Sequence, residues 1–286
     1  MADLTTSPAG IWVLQALLGV ETMPIALRLR PFIPSIDSGP TVATMVGERP
    51  LTQTAEYASL VAAGVIDPDG RVDDAVRDWM AVVGRPEREV VVVIRRPVPD
   101  SDGAVQERTL SVCRRSRWLA MIARNGDELV LAPVGESAAA DQQIELICDA
   151  VLHAVGDAEP AAIDGVNVPT KALQSALTAT HGQDRWAVGT ALARLGLSPD
   201  QVAVLVAGTR MNESAMAVVT VVDHGATRYV HPAVLTVIDT EHGRVSVSVT
   251  YTTGPDGSGW TSVWPTTPGA LRQDLARLLS VPRAAG

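Results

Sequence analysis

The chain has 286 residues, of which 47% are hydrophobic and 19% are charged, and its net charge at pH 7 is −9. A chain of this length and apolar content can bury a full core without metals or disulfides, which excludes an intrinsically disordered protein. The cations are 22 arginines and one lysine, Lys171, so no face is expected to carry the positive charge that nucleic-acid binding requires. Lys171 does not stand in a Gly-Lys-Ser/Thr sequence, which excludes a P-loop.

The cysteines and the N-terminal segment indicate the compartment. Cys113 and Cys148 lie in apolar stretches, and neither belongs to a Cys-x-x-Cys pair, so buried thiols in a reducing compartment are expected and structural zinc is not. The apolar segment Ile11–Leu18 follows Asp3 with no Lys or Arg before it, unlike a signal peptide. No apolar run reaches the ~18 residues of a transmembrane helix. We expect a cytoplasmic protein without membrane insertion.

The first half of the chain is predicted to contain two helices around a group of strands. Val72–Val83 has apolar residues with helical spacing, and Glu89–Arg95 contains five consecutive β-branched residues, typical of a strand buried on both faces. Asn125-Gly126 is a strong signal for a β-hairpin, and a helix from Ser137 to Val155 closes this half. The other predicted strands are Thr109–Arg114, Trp118–Ala123 and Glu128–Leu131.

The second half is predicted to begin with helices and to continue as strands. Ser198 and Gln201 have the spacing of a capping box, in which each side chain bonds the backbone amide of the other residue. Apolar residues alternate strictly in Val245–Tyr251, which predicts a strand with one buried and one solvated face. The other predicted helices are Pro169–Ala179, Asp184–Leu195 and a segment around Leu271–Leu279, and the other strands are Ala215–Asp223, Ala233–Asp239 and Trp260–Trp264.

The two halves, 1–157 and 158–286, show the same order of elements. In each half a helix precedes a strand, a connection leads to three more strands, and a helix closes the unit. The first strands begin near residues 89 and 215, and the closing helices begin near 137 and 267. We therefore predict an α+β protein with a quasi-twofold, pseudo-duplicated fold. Its strands join into one sheet covered by helices, and the halves form one compact unit.

Catalytic and metal-binding motifs are missing from the sequence. There is no Gly-x-Ser-x-Gly and no His-x-x-x-His pattern. Metal ligands could be imagined at one end of the sheet among Asp223, His224, His231, Asp239 and His242, but their pattern is that of ordinary turns. We predict no catalytic residue, no metal and no cofactor. The alternative is an enzyme with an unrecognised, hydrolase-like active site.

The segment Arg96–Arg108 is long for a connection between strands. Within it, Pro97–Gly103 contains two prolines, two aspartates and a glycine, which predicts an exposed loop. Loops of excess length often carry function, so this one is a candidate binding element, and a tolerated insertion is the alternative.

Several segments, in order along the chain, resemble the EspG proteins of the ESX (type VII) secretion systems of mycobacteria. These segments are Gly10–Val20, Leu27–Pro31, Ala63–Asp67, Pro160–Asp164, Val166–Pro169, Val237–Thr240 and His242–Arg244. Together they span nearly the whole chain. The Arg-rich, Lys-poor composition is also typical of a GC-rich actinobacterial source.

The resemblance implies a cytosolic specificity chaperone that binds the tip of the PPE subunit of a PE–PPE heterodimer and keeps it soluble for export. It also implies a central antiparallel sheet with two helical bundles. In that family the partner contacts come from the loop between the second and third strands and from the C-terminal bundle, which match Pro97–Gly103 and Pro169–Gly208 here. The ESX system and the oligomeric state, a monomer or a weak dimer, are left open.

The matching residues suit an apolar partner with a polar surround. Val98 offers a branched apolar side chain, and its two proline neighbours lose little chain entropy on binding. The aspartates of the loop are expected to form a polar rim that contributes orientation and on-rate. The predicted partner-binding residues are Pro97, Val98, Pro99, Asp100, Ser101, Asp102, Gly103 and, on the helical bundle, Gln201.

Overall fold

The computed structural model describes residues 3–29, 41–44, 47–101, 103–251 and 259–281. The helices in these ranges are α1 (Pro8–Leu18), α2 (Ala55–Ala62), α3 (Asp74–Gly84), α4 (Ala140–Val155), α5 (Thr170–Ala179), α6 (Arg185–Ala193), α7 (Pro199–Gly208) and α8 (Pro268–Leu279). The strands are β1 (Leu4–Thr6), β2 (Thr41–Thr44), β3 (Gly47–Pro50), β4 (Arg88–Pro97), β5 (Val105–Arg115), β6 (Trp118–Asn125), β7 (Glu128–Glu136), β8 (Val166–Pro169), β9 (Ala215–His224), β10 (Arg228–Thr240), β11 (Gly243–Tyr251) and β12 (Gly259–Pro265). Short 3₁₀ turns occur at Ile25–Leu27 and Leu51–Gln53.

Ten strands form one sheet in the order β1-β7-β6-β5-β4-β9-β10-β11-β12-β8, and β2 pairs with β3 separately. Neighbouring strands of the large sheet are antiparallel throughout. β4 and β9 meet at its centre, and the strands β4–β7 and β9–β12 extend outwards from this seam as two meanders. The predicted α+β class with a single antiparallel sheet and quasi-twofold order is confirmed.

A quasi-twofold axis passes through the seam between β4 and β9, perpendicular to the sheet. The seam pairs Arg88 with Asp223 at one end and Arg95 with Met216 at the other. Rotation about its midpoint exchanges Arg88 with Met216, so a residue of the first half is equivalent to the residue 128 positions later. Because the two seam strands run in opposite directions, the β4–β5 and β9–β10 hairpins lie at opposite ends of the sheet.

Helices cover both faces of the sheet. Side chains alternate between the faces along each strand, so Val90 and Val92 of β4 face α4 and α8, as do Val219 and Val221 of β9. The opposite face is covered by α1–α3 over β5–β7 and by α5–α7 over β10–β12. These two groups are the N-terminal and C-terminal helical bundles that the family resemblance implies.

Local signals explain where several helices begin. Asp73 caps α3 by accepting bonds from the amides of Ala75 and Val76, so the helix starts two residues after the predicted Val72. The predicted capping box of α7 is confirmed, since Gln201 N donates to Ser198 Oγ (3.3 Å) and Ser198 N donates to Gln201 Oε1 (2.9 Å). A side-chain cap therefore fixes the first turn of one helix in each bundle, α3 in the N-terminal and α7 in the C-terminal bundle.

The structure corrects two predicted connections. β4 continues to Pro97 and β5 begins at Val105, so the loop predicted at Arg96–Arg108 is shortened to residues 98–104. The pairing of Arg95 with Glu107, whose Nε and Oε2 atoms lie 2.9 Å apart, extends the ladder into polar sequence. The β6–β7 turn is centred on residues 126–127, one residue later than predicted, because Asn125 pairs with Glu128.

Three of the five residues considered as metal ligands, Asp223, His224 and His231, contact residues of the seam strands. Asp239 pairs with Arg244, and His242 is exposed in the β10–β11 turn. Arg88 donates to both carboxylate oxygens of Asp223 (2.7 and 3.1 Å), and His231 Nε2 lies 2.7 Å from the Asp223 Oδ2 atom. Arg88 also donates to the carbonyls of Leu279 and Val281, both at 3.0 Å, which ties the end of α8 to the seam. Within the described residues, no group of three His, Cys, Asp or Glu side chains has a metal-binding arrangement.

Candidate partner-binding site

The β4–β5 loop is a closed hairpin. The Val98 amide donates to the Ala104 carbonyl (2.9 Å), and Ser101 Oγ donates to the Val98 carbonyl (2.6 Å). Asp100 has a φ of +58° and Gly103 a φ of +72°, the left-handed conformations that reverse the chain here. These hydrogen bonds restrain the described residues of the loop, which lowers the entropy that a partner would have to remove.

The loop presents most of the predicted contact residues to solvent. Val98 is 38% exposed, and Pro99, Asp100, Ser101 and Gly103 are exposed as well. Pro97 is half-buried and ends β4. Asp102 lies outside the described residues, so its predicted place at the rim is not assigned.

The loop lies beside the connection between α7 and β9, which belongs to the C-terminal half. A Cβ atom on Gly103 would lie 3.9 Å from the Asn212 Cβ atom. Arg95 Nη1, at the base of the hairpin, lies 3.8 Å from Met211 Sδ, and Met211 is itself 48% exposed. The quasi-twofold arrangement thus brings the hairpin of one half against the helical bundle of the other.

A cavity opens in the C-terminal bundle next to this connection. It has a volume of about 760 Å³ and lies between α5, α6 and α7. Its apolar surface comes from Leu177, Trp186, Val188 and Val206, and its polar surface from Thr180, His181, Gln183, Asp184, Arg185, Thr209 and Arg210. Trp186 is 78% exposed, more than any other large hydrophobic side chain of the described residues. Exposed tryptophan beside a concave apolar surface is typical of protein-binding sites.

Trp186 lies in the first turn of α6, which interactions of its two neighbours in the sequence fix in place. Asp184 caps α6 by accepting from the Ala187 amide (2.9 Å), and Arg185 forms an ion pair with Glu213 of the α7–β9 connection. Sequence analysis predicted the helix but did not single out the tryptophan. The sequence did contain a signal: Trp186 lies outside the helical stripe of buried residues formed by Val188 and Leu192, which indicates an exposed tryptophan.

Gln201 lies apart from the loop. It sits in the first turn of α7, and seven residues of helix, roughly 10 Å at 1.5 Å per residue, separate it from Gly208 at the end that adjoins the loop. Its Nε2 atom donates to the Asp164 carbonyl (3.2 Å), and its Oε1 atom accepts in the capping box. The structure brings the loop and the α7–β9 connection together, but it does not bring Gln201 to them.

The two thiols are poor nucleophiles at neutral pH. Burial, with a smaller contribution from the carboxylate of Glu89, raises the pKa of Cys113 well above its usual value. Burial and the nearby carboxylate of Glu145 raise the pKa of Cys148 to about 11. Both side chains therefore remain protonated at pH 7, because thiolate formation is disfavoured in apolar surroundings.

An exposed hairpin joined to a helical bundle that carries a cavity and an exposed tryptophan is typical of a protein-binding module. The family model of the EspG family matches residues 7–277, and the chain belongs to this family. It is similar to the ESX-2 secretion-associated protein EspG2 of Mycobacterium tuberculosis, with 30% identity over 250 residues that cover 85% of this chain and 83% of the relative.

A second relative and a solved structure agree with this assignment. The ESX-5 secretion-associated protein EspG5 of Mycobacterium marinum is 27% identical over 294 residues, which cover 97% of this chain and 93% of the relative. The solved structure of the type VII secretion chaperone EspG5 of Mycobacterium tuberculosis, in complex with the PE25–PPE41 dimer, matches with a TM-score of 0.74 and 22% identity. The match covers 100% of this chain and 99% of that one, and it shows the fold. Among the described residues no helix is long and apolar enough to cross a bilayer.

Proposed function

We propose that this chain is a specificity chaperone of a type VII (ESX) secretion system, which binds the tip of the PPE subunit of a PE–PPE heterodimer and keeps it soluble for export. Membership of the EspG family is the observation that carries the proposal. The PE25–PPE41 dimer bound to the EspG5 relative supplies the class of partner.

The partner would bind between the β4–β5 loop and the C-terminal bundle. An apolar helical tip would contact Val98 and its flanking prolines on one side and Trp186 with Met211 on the other, so that its exposed hydrophobic surface leaves water. Asp100 and Asp102 would form the polar rim, together with Ser101 and Gly103. Gln201, at the far end of α7, would be reached only by a longer partner surface.

The proposal includes a cytoplasmic location and a role without catalysis. Secretion chaperones act before export, so the partner is met inside the cell. The two free, buried cysteines are compatible with a reducing compartment. Their raised pKa values do not favour a cysteine nucleophile, and the site around the loop offers apolar surface and a few hydrogen-bonding groups.

Co-expression with candidate PE–PPE pairs, followed by size-exclusion chromatography, tests the partner class. We expect a stable 1:1:1 complex with a cognate pair, which would also identify the ESX system. If no pair from any ESX system of the source organism forms a complex, the proposed function is wrong.

Two variants test the site by calorimetric titration with that pair. Val98→Asp would bury an unpaired charge and should weaken binding about thirtyfold, roughly 2 kcal/mol, and Trp186→Ala should weaken it by a similar factor. Asp100→Ala, a rim change, should cost well under about 1 kcal/mol. Trp260→Ala is the matched control, because Trp260 is an exposed tryptophan on the sheet face opposite the C-terminal bundle. Wild-type affinity of both folded Val98→Asp and Trp186→Ala proteins would place the partner elsewhere.

A further inference from the structure

A second groove lies at the other end of the sheet, about 30 Å from the β4–β5 loop at ~3.3 Å per residue of β4. It has a volume of about 840 Å³ and is bounded by the turn after α1, the α3–β4 connection and the β9–β10 turn. Its apolar lining comes from Met23, Pro24, Ile25, Leu29 and Val83. Ile25 is 66% exposed, and among the large hydrophobic side chains of the described chain only Trp186 exceeds it.

The quasi-twofold axis relates this groove to the candidate partner-binding site. At the offset of 128 residues that the seam sets, Arg85 in the α3–β4 connection corresponds to Glu213 in the α7–β9 connection. The β9–β10 turn of the second half is equivalent to the β4–β5 loop of the first half. The groove is therefore the counterpart of that site, formed by the N-terminal bundle and the second hairpin.

Arginines outnumber carboxylates in the lining of the groove, although the whole chain carries a net charge of −9. Arg28, Arg85 and Arg228 line it, against the carboxylates of Glu21 and Glu89. The Glu89 carboxylate is already hydrogen-bonded within the fold, since its Oε2 atom lies 3.0 Å from His224 Nε2 and its Oε1 atom accepts from the Ser111 hydroxyl at 2.8 Å.

The arginines of the groove differ in how they are paired. Arg28 pairs with Glu107 at 3.3 Å, whereas Arg85 and Arg228 form no salt bridge with any residue that the structure describes. At the corresponding place in the α7–β9 connection, Glu213 pairs with Arg185 and Arg210. The second groove thus differs from the first site in having two arginines, Arg85 and Arg228, that no described carboxylate pairs.

A buried hydrogen-bond acceptor also lies in the wall of the groove. Gln15 is 2% exposed, and its Nε2 atom donates to the Val20 carbonyl at 3.0 Å, which fixes the orientation of the amide. Its Oε1 atom has no hydrogen-bond partner within the described residues. A buried, unpaired carbonyl oxygen is unfavourable, so a peptide whose binding opened the groove wall and placed an N–H there would gain a hydrogen bond.

We propose that this groove binds an acidic peptide segment of a second protein, with a large apolar side chain against Ile25 and its carboxylates at Arg85 and Arg228. Charge complementarity, the exposed isoleucine and the unpaired Gln15 oxygen each match one property of that segment. The site would bind independently of the PE–PPE dimer, and the inference does not require the proposed function.

Selection from a phage library of random twelve-residue peptides tests this occupant. The immobilised full-length chain is the target, and the Ile25→Asp variant, whose exposed position should not affect folding, serves for counter-selection. We expect enriched peptides that combine Asp or Glu with a large apolar residue. If no peptide is enriched that depends on Ile25, or if the enriched peptides lack acidic residues, the proposal is wrong.

Fluorescence anisotropy with the most enriched peptide, labelled with fluorescein, then separates the two sites. The double variant Arg85→Gln/Arg228→Gln should weaken binding at least tenfold, and Trp186→Ala should leave it within twofold. Equal affinity for the double variant and the wild type, at an unchanged melting temperature, would overturn the proposal. Light scattering provides a second test. If the wild-type chain is a dimer and the Ile25→Asp variant is a monomer, the proposal is also overturned, because the occupant of the groove would then be a second copy of this chain.

Discussion

At the scale of single residues, Arg88 shows how a buried charge is accommodated at the seam. Its guanidinium donates four hydrogen bonds, two to the Asp223 carboxylate and two to the carbonyls of Leu279 and Val281. Asp223 in turn contacts His231. Such a network is stable when every partner is present, but removal of one partner leaves a buried polar or charged group unpaired and destabilises the fold.

Replacement of Asp223 by Ala is therefore expected to lower the free energy of unfolding by about 3–5 kcal/mol, since it leaves a buried guanidinium without its counter-charge. Urea denaturation measures the loss. Glu136→Ala is the matched control, because Glu136 pairs with Arg117 at 2.8 Å on the surface and its removal should cost about 1 kcal/mol or less. Similar losses in both variants would show that the seam pair is no more important than a surface pair.

The two cysteines predict how stability depends on pH. Their pKa values are raised in the folded protein, so the unfolded chain loses the thiol protons first, from about pH 8.5 upwards. The unfolded state then binds fewer protons than the folded state, and the free energy of unfolding falls as pH rises. The slope is at most about 1.4 kcal/mol per pH unit and cysteine.

Chemical denaturation between pH 8 and 10.5 measures this slope. We expect Cys148→Ala to have a shallower slope than the wild type, because one of the two contributing thiols is gone. Other groups that titrate in this range are common to both proteins, so the difference isolates Cys148. Identical slopes would contradict the raised pKa of Cys148 in the fold.

The residue scale is also where the sequence was least informative. Asp223, His224 and His231 have the composition of a turn, and nothing in their spacing reveals that Arg88, far away in the sequence, lies opposite Asp223. Burial and pairing depend on strand register across the seam, which is a property of the tertiary fold. The exposed Trp186 was missed for a related reason, since a single apolar residue outside a helical stripe has many explanations.

At the scale of elements, the capping box of α7 was predicted from four residues and is confirmed. Caps are local interactions, so sequence patterns report them well. Ser198→Ala removes the side-chain acceptor and should lower the free energy of unfolding by about 1 kcal/mol.

The same substitution within a helix should have the opposite sign. Ser59 is exposed inside α2, so Ser59→Ala should raise the free energy of unfolding by up to about 0.5 kcal/mol through helix propensity. Thermal unfolding of the two variants measures both effects. A Ser198→Ala protein as stable as the wild type would mean that the capping box contributes nothing measurable.

The long strands β4–β7 and β9–β12 were predicted in their buried parts, whereas the short strands β1 and β8 were not predicted, although Val166 and Val168 of β8 are buried. The run in Glu89–Arg95 was recognised because five β-branched residues report burial on both faces. The outer ends of β4 and β5, such as Arg96 and Pro97, carry polar or only partly buried side chains, so no apolar alternation marks them. Their pairing follows from the ladder that begins deeper in the sheet, and the predicted loop was accordingly too long.

At the scale of the whole molecule, the halves share one core. α4 of the first half packs against α8 of the second, and Arg272 Nη1 of α8 donates to Glu145 Oε2 of α4 at 2.6 Å. The repeated order of elements predicted a joint sheet, but it could not predict that the loop of one half would meet the bundle of the other. That neighbourhood follows from the antiparallel seam, whose existence no local pattern encodes.

We propose that the halves divide at residue 157 and that neither is stable alone. Residues 1–157 and 158–286 expressed separately should each aggregate, because each would expose a seam strand and the apolar face of its closing helix. Co-expressed from one cell, with a tag on the first half, they should elute together at a 1:1 ratio in size-exclusion chromatography. A half that is monomeric and unfolds cooperatively by itself would refute this division.

The joining of two related halves in one chain also determines how many copies of a partner the protein can bind. A symmetric dimer of one half would present every surface twice and would bind two copies of any partner. In the single chain the equivalent positions have diverged, as Arg85 and Glu213 show, and the two hairpins differ in length. If both proposed sites bind as described, each end of the sheet would recognise a different molecule, and one chain would bind one copy of each. A monomer of this kind would not crosslink either partner into larger assemblies.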